Sequence, residues 1–254
     1  MSNSDALGDR MKRYEKISQE ELPPRSYTLI RLDGKAFHTY TRGFDRPFDQ
    51  RLINWMNTTA LELCKQISGV KFAYVQSDEI TLLLTDFESI ATEAWFGGNL
   101  QKIVSVSASI ATCAFNKAWI DDFPSFVRTQ SQMAMFDSRA WSLADPFEVD
   151  NVFRWRQQDA TRNSIQMVGQ SKFSHKKLQG KSCNEIQEML FTEHGINWND
   201  FSPALKRGRI IRKVDGKWTV DNNIPVFTQE PSYLRDMIPL IPNWDSEIGK
   251  IPLE

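Results

Sequence analysis

The sequence predicts an α+β fold, and three observations carry that expectation. Apolar, β-prone runs alternate with segments of helical spacing in the order strand, helix, strand, strand, helix, strand, which is the split βαβ arrangement of ferredoxin-like folds. The two middle runs are separated only by Ser77-Asp78-Glu79, a link short enough for a hairpin. Past residue 140 the pattern turns helical and locally basic. The division expected is a palm over 1–140 and a helical, basic C-terminal region over 141–254, packed on the palm as one unit.

Residues 4–21 are charged, with Met11, Tyr14 and Ile17 spaced to lay one helical face on the domain, and Pro23-Pro24 ends them. The first strand runs from Ser26 to Leu32 and leads into Arg31-Leu32-Asp33-Gly34-Lys35-Ala36-Phe37-His38. A carboxylate at a strand tip suits a hard divalent cation. Gly34 lets the backbone turn, and the amides after it suit a phosphate nest. A plain Asp-Gly strand exit is the alternative for the same residues. In the loop Thr39–Phe48, Arg46 suits a phosphate fork or simple solvation. Asp49 opens a helix to Ser68 whose Leu52, Ile53, Met56, Ala60, Leu63, Cys64 and Ile67 face the sheet.

Strands follow at Lys71–Gln76 and Ile80–Leu84, then a loop at Asp86–Phe96. The helix after Gly97-Gly98 is expected to bury Ile103, Val106, Ile110, Cys113 and Ala114. Lys102 lies in its first turn, where the helix dipole disfavours a cation, so it reaches an anion or stays solvated. Met133–Asp137 is the fourth strand, and Asp145-Pro146 starts the next helix as N-cap and first residue. That helix carries Val149, Val152, Phe153 and Trp155 on one side. On another it carries Arg154, Arg156, Asp159 and Arg162 beside Asn163, a surface suited either to RNA or to internal salt bridges. A short helix at Asn184–His194 is closed by Gly195, and an Asp215-Gly216 turn joins strands Ile210–Val214 and Lys217–Val220. The Pro-rich tail from Asn223 wraps the surface or serves an interface.

A net charge of −1 excludes a global basic field. Residues 151–217, however, hold a basic excess that includes Lys206, Arg207 and Arg209, enough for a local polyanion contact. Cys64, Cys113 and Cys183 form neither a zinc pattern nor a disulfide framework, which points to a reducing, cytoplasmic setting. Residues 1–21 do not resemble a secretory signal, and 97–119 is too polar for lipid, so no membrane contact is expected. If the first strand pairs beside the hairpin, Asp33 and Asp78 meet at one sheet edge. Their mutual repulsion then calls for a cation, and a two-metal site meets that need.

The ordered set of motifs resembles the tRNA(His) guanylyltransferase superfamily of 3′-to-5′ RNA polymerases. It comprises Arg31–His38, Arg46–Asp49, Ser77–Glu79, Trp155–Asp159, Asn184–Ile186 and Gly195–Asn199. The resemblance implies a two-Mg2+ site on Asp33, Asp78 and the Gly34 carbonyl, with Glu79 as the third carboxylate. It implies nucleotide contacts at Lys35, Ala36, Phe37, His38, Arg46, Ser77 and Lys102. It further implies GTP and ATP as substrates, tRNA as partner, and a homo-oligomer, a tetramer in the family. RNA contacts are expected at Arg154, Arg156, Arg162, Asn163, Lys206, Arg207 and Arg209. The H-I-N-N-L-Y-N segment of the eukaryotic members is here Thr161–Met167, keeping only Asn163, and Cys183 and Phe48 replace a Lys and an Asn. These departures resemble the Thg1-like protein branch, which implies template-dependent repair of truncated tRNA 5′ ends. The rivals are strict guanylyl addition to tRNA(His), a nucleotide cyclase on the same palm, and a non-catalytic tRNA-binding protein.

Overall fold

A computed structural model of the chain describes residues 6–124 and 133–242. Six antiparallel strands form one sheet: β1 (Tyr27–Gly34), β2 (Val70–Gln76), β3 (Glu79–Leu84), β4 (Phe136–Leu143), β5 (Arg209–Val214) and β6 (Lys217–Asp221), in the order β4-β1-β3-β2-β5-β6. The β1 run alternates its side chains between two buried faces, as a strand inside a covered sheet must. Ile30 and Leu32 face one core, and Tyr27 and Leu29 the other.

The first core is closed by α3 (Gln50–Gln66) and α4 (Leu100–Asp122). Asp49 caps α3 by accepting from the Arg51 and Leu52 amides. By length and composition α4 is apolar enough to cross a membrane. Here it packs on β1, β4 and α3. It buries Ile103, as expected, but continues with Ser107, Ala111, Phe115, Asn116 and Trp119 in place of the rest of the expected line. The large rings of Phe115 and Trp119 set the inward face, leaving Val106, Ile110 and Ala114 half-buried and Cys113 exposed.

The second core lies under α5 (Pro146–Lys172), capped by Asp145 with Pro146 at its start. Phe153 of α5 sits 4.6 Å from the Phe72 ring. Ile224, Phe227, Leu234 and Ile238 of the tail complete this core, with the short α9 (Pro231–Arg235) among them. The tail thus covers a sheet face up to residue 242; its last residues, from 243, lie outside the described ones. A third cluster joins the end of α5 to α6 (His175–Leu178) and α7 (Cys183–His194), the latter held by a Ser182–Glu185 capping box and ended by Gly195 at φ 65°.

Three other expectations change. The N-terminal helix α1 (Ala6–Lys16) buries no residue, and Met11 and Tyr14 stand exposed; residues 4 and 5 lie outside the described ones. The fourth strand begins at Phe136 rather than Met133 and runs on to Leu143. Its alternating polar residues belong to an edge strand with one covered face. The C-terminal region is not only helical: its hairpin, turning at Asp215-Gly216, adds β5 and β6 to the sheet through β2.

Candidate active site

Strand register brings the acids together. Asp33 stands directly opposite Glu79 on β3 and Asp137 on β4. The Gly34 amide donates to the Asp78 carbonyl at 3.1 Å, tying the tip of β1 to the two-residue turn Ser77-Asp78. Ser77 takes φ 45° and Ala36 φ 53°, left-handed conformations uncommon outside glycine, so both sides of the acid pair carry backbone strain. Gly34 itself has no positive φ. Its missing Cβ makes room for the Phe37 ring, which would otherwise lie 2.3 Å away. Close packing, not a sharp turn, requires glycine there. The ring is fixed by Tyr40, Phe115 and Phe136.

Burial, then the charge of Asp33, pushes the Asp78 carboxyl up to about 6. Burial and Asp137 raise Asp33 as well. Asp137 is an acid of this site that sequence reasoning missed, because the misplaced fourth strand hid its register. Among the described residues no group of three or more His, Cys, Asp or Glu side chains is set to hold a metal ion.

Glu79 has other company. Arg156 of α5 grips it with Nε at 2.8 Å and Nη2 at 2.7 Å, and also holds Asp159 at 2.7 Å. The Trp155 ring lies 4.5 Å from the same guanidinium. Arg162 completes the row on Asp159.

A family model described as tRNA-His guanylyltransferase matches residues 8–144, more than half of the chain. The chain belongs to this family. Among curated guanylyltransferases, that of Debaryomyces hansenii is 30% identical over 217 residues, covering 78% of this chain and 79% of its own length. A bacterial tRNA(His) guanylyltransferase-like protein in complex with ATP superposes with a TM-score of 0.87 at 44% identity, covering 92% of this chain and 100% of that one. One in complex with GTP gives 0.78 and 39%, with the same coverage. The guanylyltransferase family is one of nucleotidyltransferases, and this chain is such an enzyme.

The guanylyltransferase residues inferred from the resemblance divide in space. Asp33, Gly34, Ser77, Asp78 and Glu79 lie at one end of the sheet. Lys35, Ala36 and His38 are exposed beside it, and Phe37 is buried. The Lys35 amide is already taken by the Met135 carbonyl at 2.8 Å. This reduces the phosphate nest to the amides of Ala36, Phe37 and His38. Arg46 is exposed on the loop into α3. Lys102 is exposed in the first turn of α4, the helix whose Ser107 hydroxyl lies 2.8 Å from that of Ser138, opposite Leu32.

The RNA contacts are corrected at two positions. Arg156 is buried on Glu79, and Arg209 is 3% exposed with its Nε on Asn57, so neither presents charge to a polyanion. Arg154 is held bidentately by Asp150, and Arg207 is half-buried. Arg162 and Asn163 are exposed, and Lys206 is half-buried against Trp198.

Proposed function

We propose that this guanylyltransferase-family chain adds nucleotides to the 5′ end of tRNA in the 3′-to-5′ direction, templated by the opposite strand, and so repairs truncated ends. The observation that carries the reading is the convergence of Asp33 and Asp78 at one sheet end, where each raises the need for a counter-charge. The strand order β4-β1-β3-β2, that of ferredoxin-like palms, supports it, as do the bacterial relatives in complex with ATP and GTP.

Two half-buried, mutually repelling carboxylates beside the Gly34 carbonyl fit Mg2+, an oxygen-seeking ion. Asp33, Asp78 and that carbonyl would hold two such ions. Held there, the ions would supply a lowered pKa for an attacking hydroxyl and a counter-charge for a leaving phosphate. Arg46, Ser77 and the amides of Ala36 to His38 orient the triphosphate, so that positioning and electrostatics supply most of the rate. A nucleoside triphosphate first activates the 5′-monophosphate and releases pyrophosphate. The 3′-hydroxyl of the incoming nucleotide then displaces the activating nucleoside monophosphate, and the terminal pyrophosphate is removed when addition stops. We place the enzyme in the cytoplasm as a homotetramer.

Labelled-nucleotide incorporation into a 5′-truncated tRNA tests the reading. Wild type incorporates with magnesium, and Asp33→Ala and Asp78→Ala do not; equal incorporation by all three removes the mechanism. A second reading, addition of a single G to intact tRNA(His), is favoured by the curated relatives named for that activity. It predicts strict preference for that tRNA over truncated substrates.

A further inference from the structure

Beside the acid pair lies a cleft that the proposed chemistry leaves unused. Phe48, Leu52, Met167 and Leu205 wall it, and Ser77 stands at its edge. Its inner volume is about 60 Å3, and about 530 Å3 with the open mouth. The inner part admits the edge of a planar ring but not a whole nucleotide.

Arg209 lines this cleft while only 3% exposed. Its Nε donates to Asn57 Oδ1 at 2.7 Å, but Nη2 is buried with no hydrogen-bond partner. Among the described residues no carboxylate forms an ion pair with it, and burial pulls the guanidinium down to about 10. Buried arginines are normally paired. The backbone explains the placement. Gly208 sits at φ 84°, where a Cβ would strike the Val75 carbonyl at 2.7 Å. Strand β5 therefore starts hard against β2, with Arg209 opposite Val75.

The charge of the cleft selects its occupant. Asp49 also lines it; against the upward pull of burial, Arg51 and backbone amides hold its carboxyl down at about 2. A phosphate here would meet a permanent anion as well as the cation, between apolar walls. A neutral ring with a carbonyl edge avoids that repulsion and fills the free donor. We infer that the cleft takes a nucleobase, with Arg209 donating to the O6 and N7 edge of guanine. Adenine keeps N7 but offers a donor in place of O6, which leaves one N–H of the guanidinium facing another donor. The inference rests on the proposed nucleotidyl transfer for the presence of a nucleotide beside Asp78. The guanine belongs either to free GTP or to the 5′-terminal nucleotide of an RNA.

The test is equilibrium binding of GTP, ITP and ATP, with magnesium, to the full chain. ITP keeps O6 and N7 and lacks the 2-amino group. Wild type is expected to bind GTP and ITP alike and about tenfold more tightly than ATP, the discrimination expected of one good arginine–guanine contact. Arg209→Met loses that preference while ATP affinity holds within about twofold. Competition between tRNA transcripts differing only in a 5′-terminal G or A forms the second arm. Loss of preference in the nucleotide arm assigns the cleft to free GTP, and loss in the RNA arm assigns it to the RNA end. Met167→Trp fills the cleft without touching the guanidinium and should abolish the same preference, so the test stands even where Arg209→Met unfolds. No guanine preference in either arm, or one that the folded variants retain, overturns the inference. A chain that never incorporates nucleotides yet shows an Arg209-dependent guanine preference refutes the proposed function alone.

Discussion

Two carboxylates one residue apart have opposite surroundings. Glu79 is buried and gripped by both arms of Arg156, which also holds Asp159. Asp78 has no ion pair among the described residues, and its carboxyl rises to about 6. The Glu79 cluster is self-sufficient: it pins α5 to the hairpin and needs nothing from solution. The Asp33–Asp78 pair is incomplete, and is comfortable only when protonated or joined by a cation. A ligand is therefore expected on the Asp78 side of the turn, while Glu79 and Arg156 hold that side in place.

The sharpest way to break this contrast is Asp78→Asn. Incorporation should fall by about a thousandfold, in the range of losing one electrostatic stabiliser of a transition state. Thermal melting should stay level or rise, because a repelling charge is gone. Activity within tenfold of wild type would erase the distinction. Arg156→Met attacks the other side and leaves Glu79 buried alone. We expect a loss of about 3–5 kcal/mol in denaturant titrations, with partial recovery when Glu79→Gln is added. An unchanged midpoint would mean that the pair holds nothing. Gly34→Ala forces a methyl into the Phe37 ring, an overpacking of about 1–3 kcal/mol, read by the same titration.

The last effect is in pH. Asp78 titrates at about 6 in the folded chain against an ordinary 3.8, so folding favours its protonated form. The stability this gives is complete below the ordinary value and is lost as pH rises through the folded one. The magnesium-free chain should therefore lose about 3 kcal/mol across that window, since each tenfold gain in proton affinity on folding is worth about 1.4 kcal/mol. Asp78→Asn flattens the slope, and added magnesium flattens it by drawing the carboxyl down. A slope unaffected by either assigns the titration to another group.

Much of this site could be read from local pattern. The Asp-Gly after an apolar run and the acidic link between two strands were enough to place Asp33 near Asp78, because strand order followed from a helix and a hairpin of ordinary length. What local pattern hides is pairing at a distance. Arg156 and Glu79 lie 77 residues apart, and α5 reads equally well as an RNA-binding face or a salt-bridged one. Arg209 pairs in register with Val75 across more than a hundred residues, so its burial leaves no periodic trace. The tail looked like wrapping because proline breaks the spacing by which Ile224, Phe227, Leu234 and Ile238 would have declared a core face.

That tail has a bearing on timing. The Tyr27 hydroxyl donates to the Pro239 carbonyl, a residue synthesised 212 positions later, and the apolar side of the strand that carries Asp33 is fully covered only then. A chain still emerging from its ribosome has both acids but an incomplete second layer, α5 without the tail. Competence at the 5′ end of another molecule should therefore arrive late, as one of the last events of the enzyme's own birth.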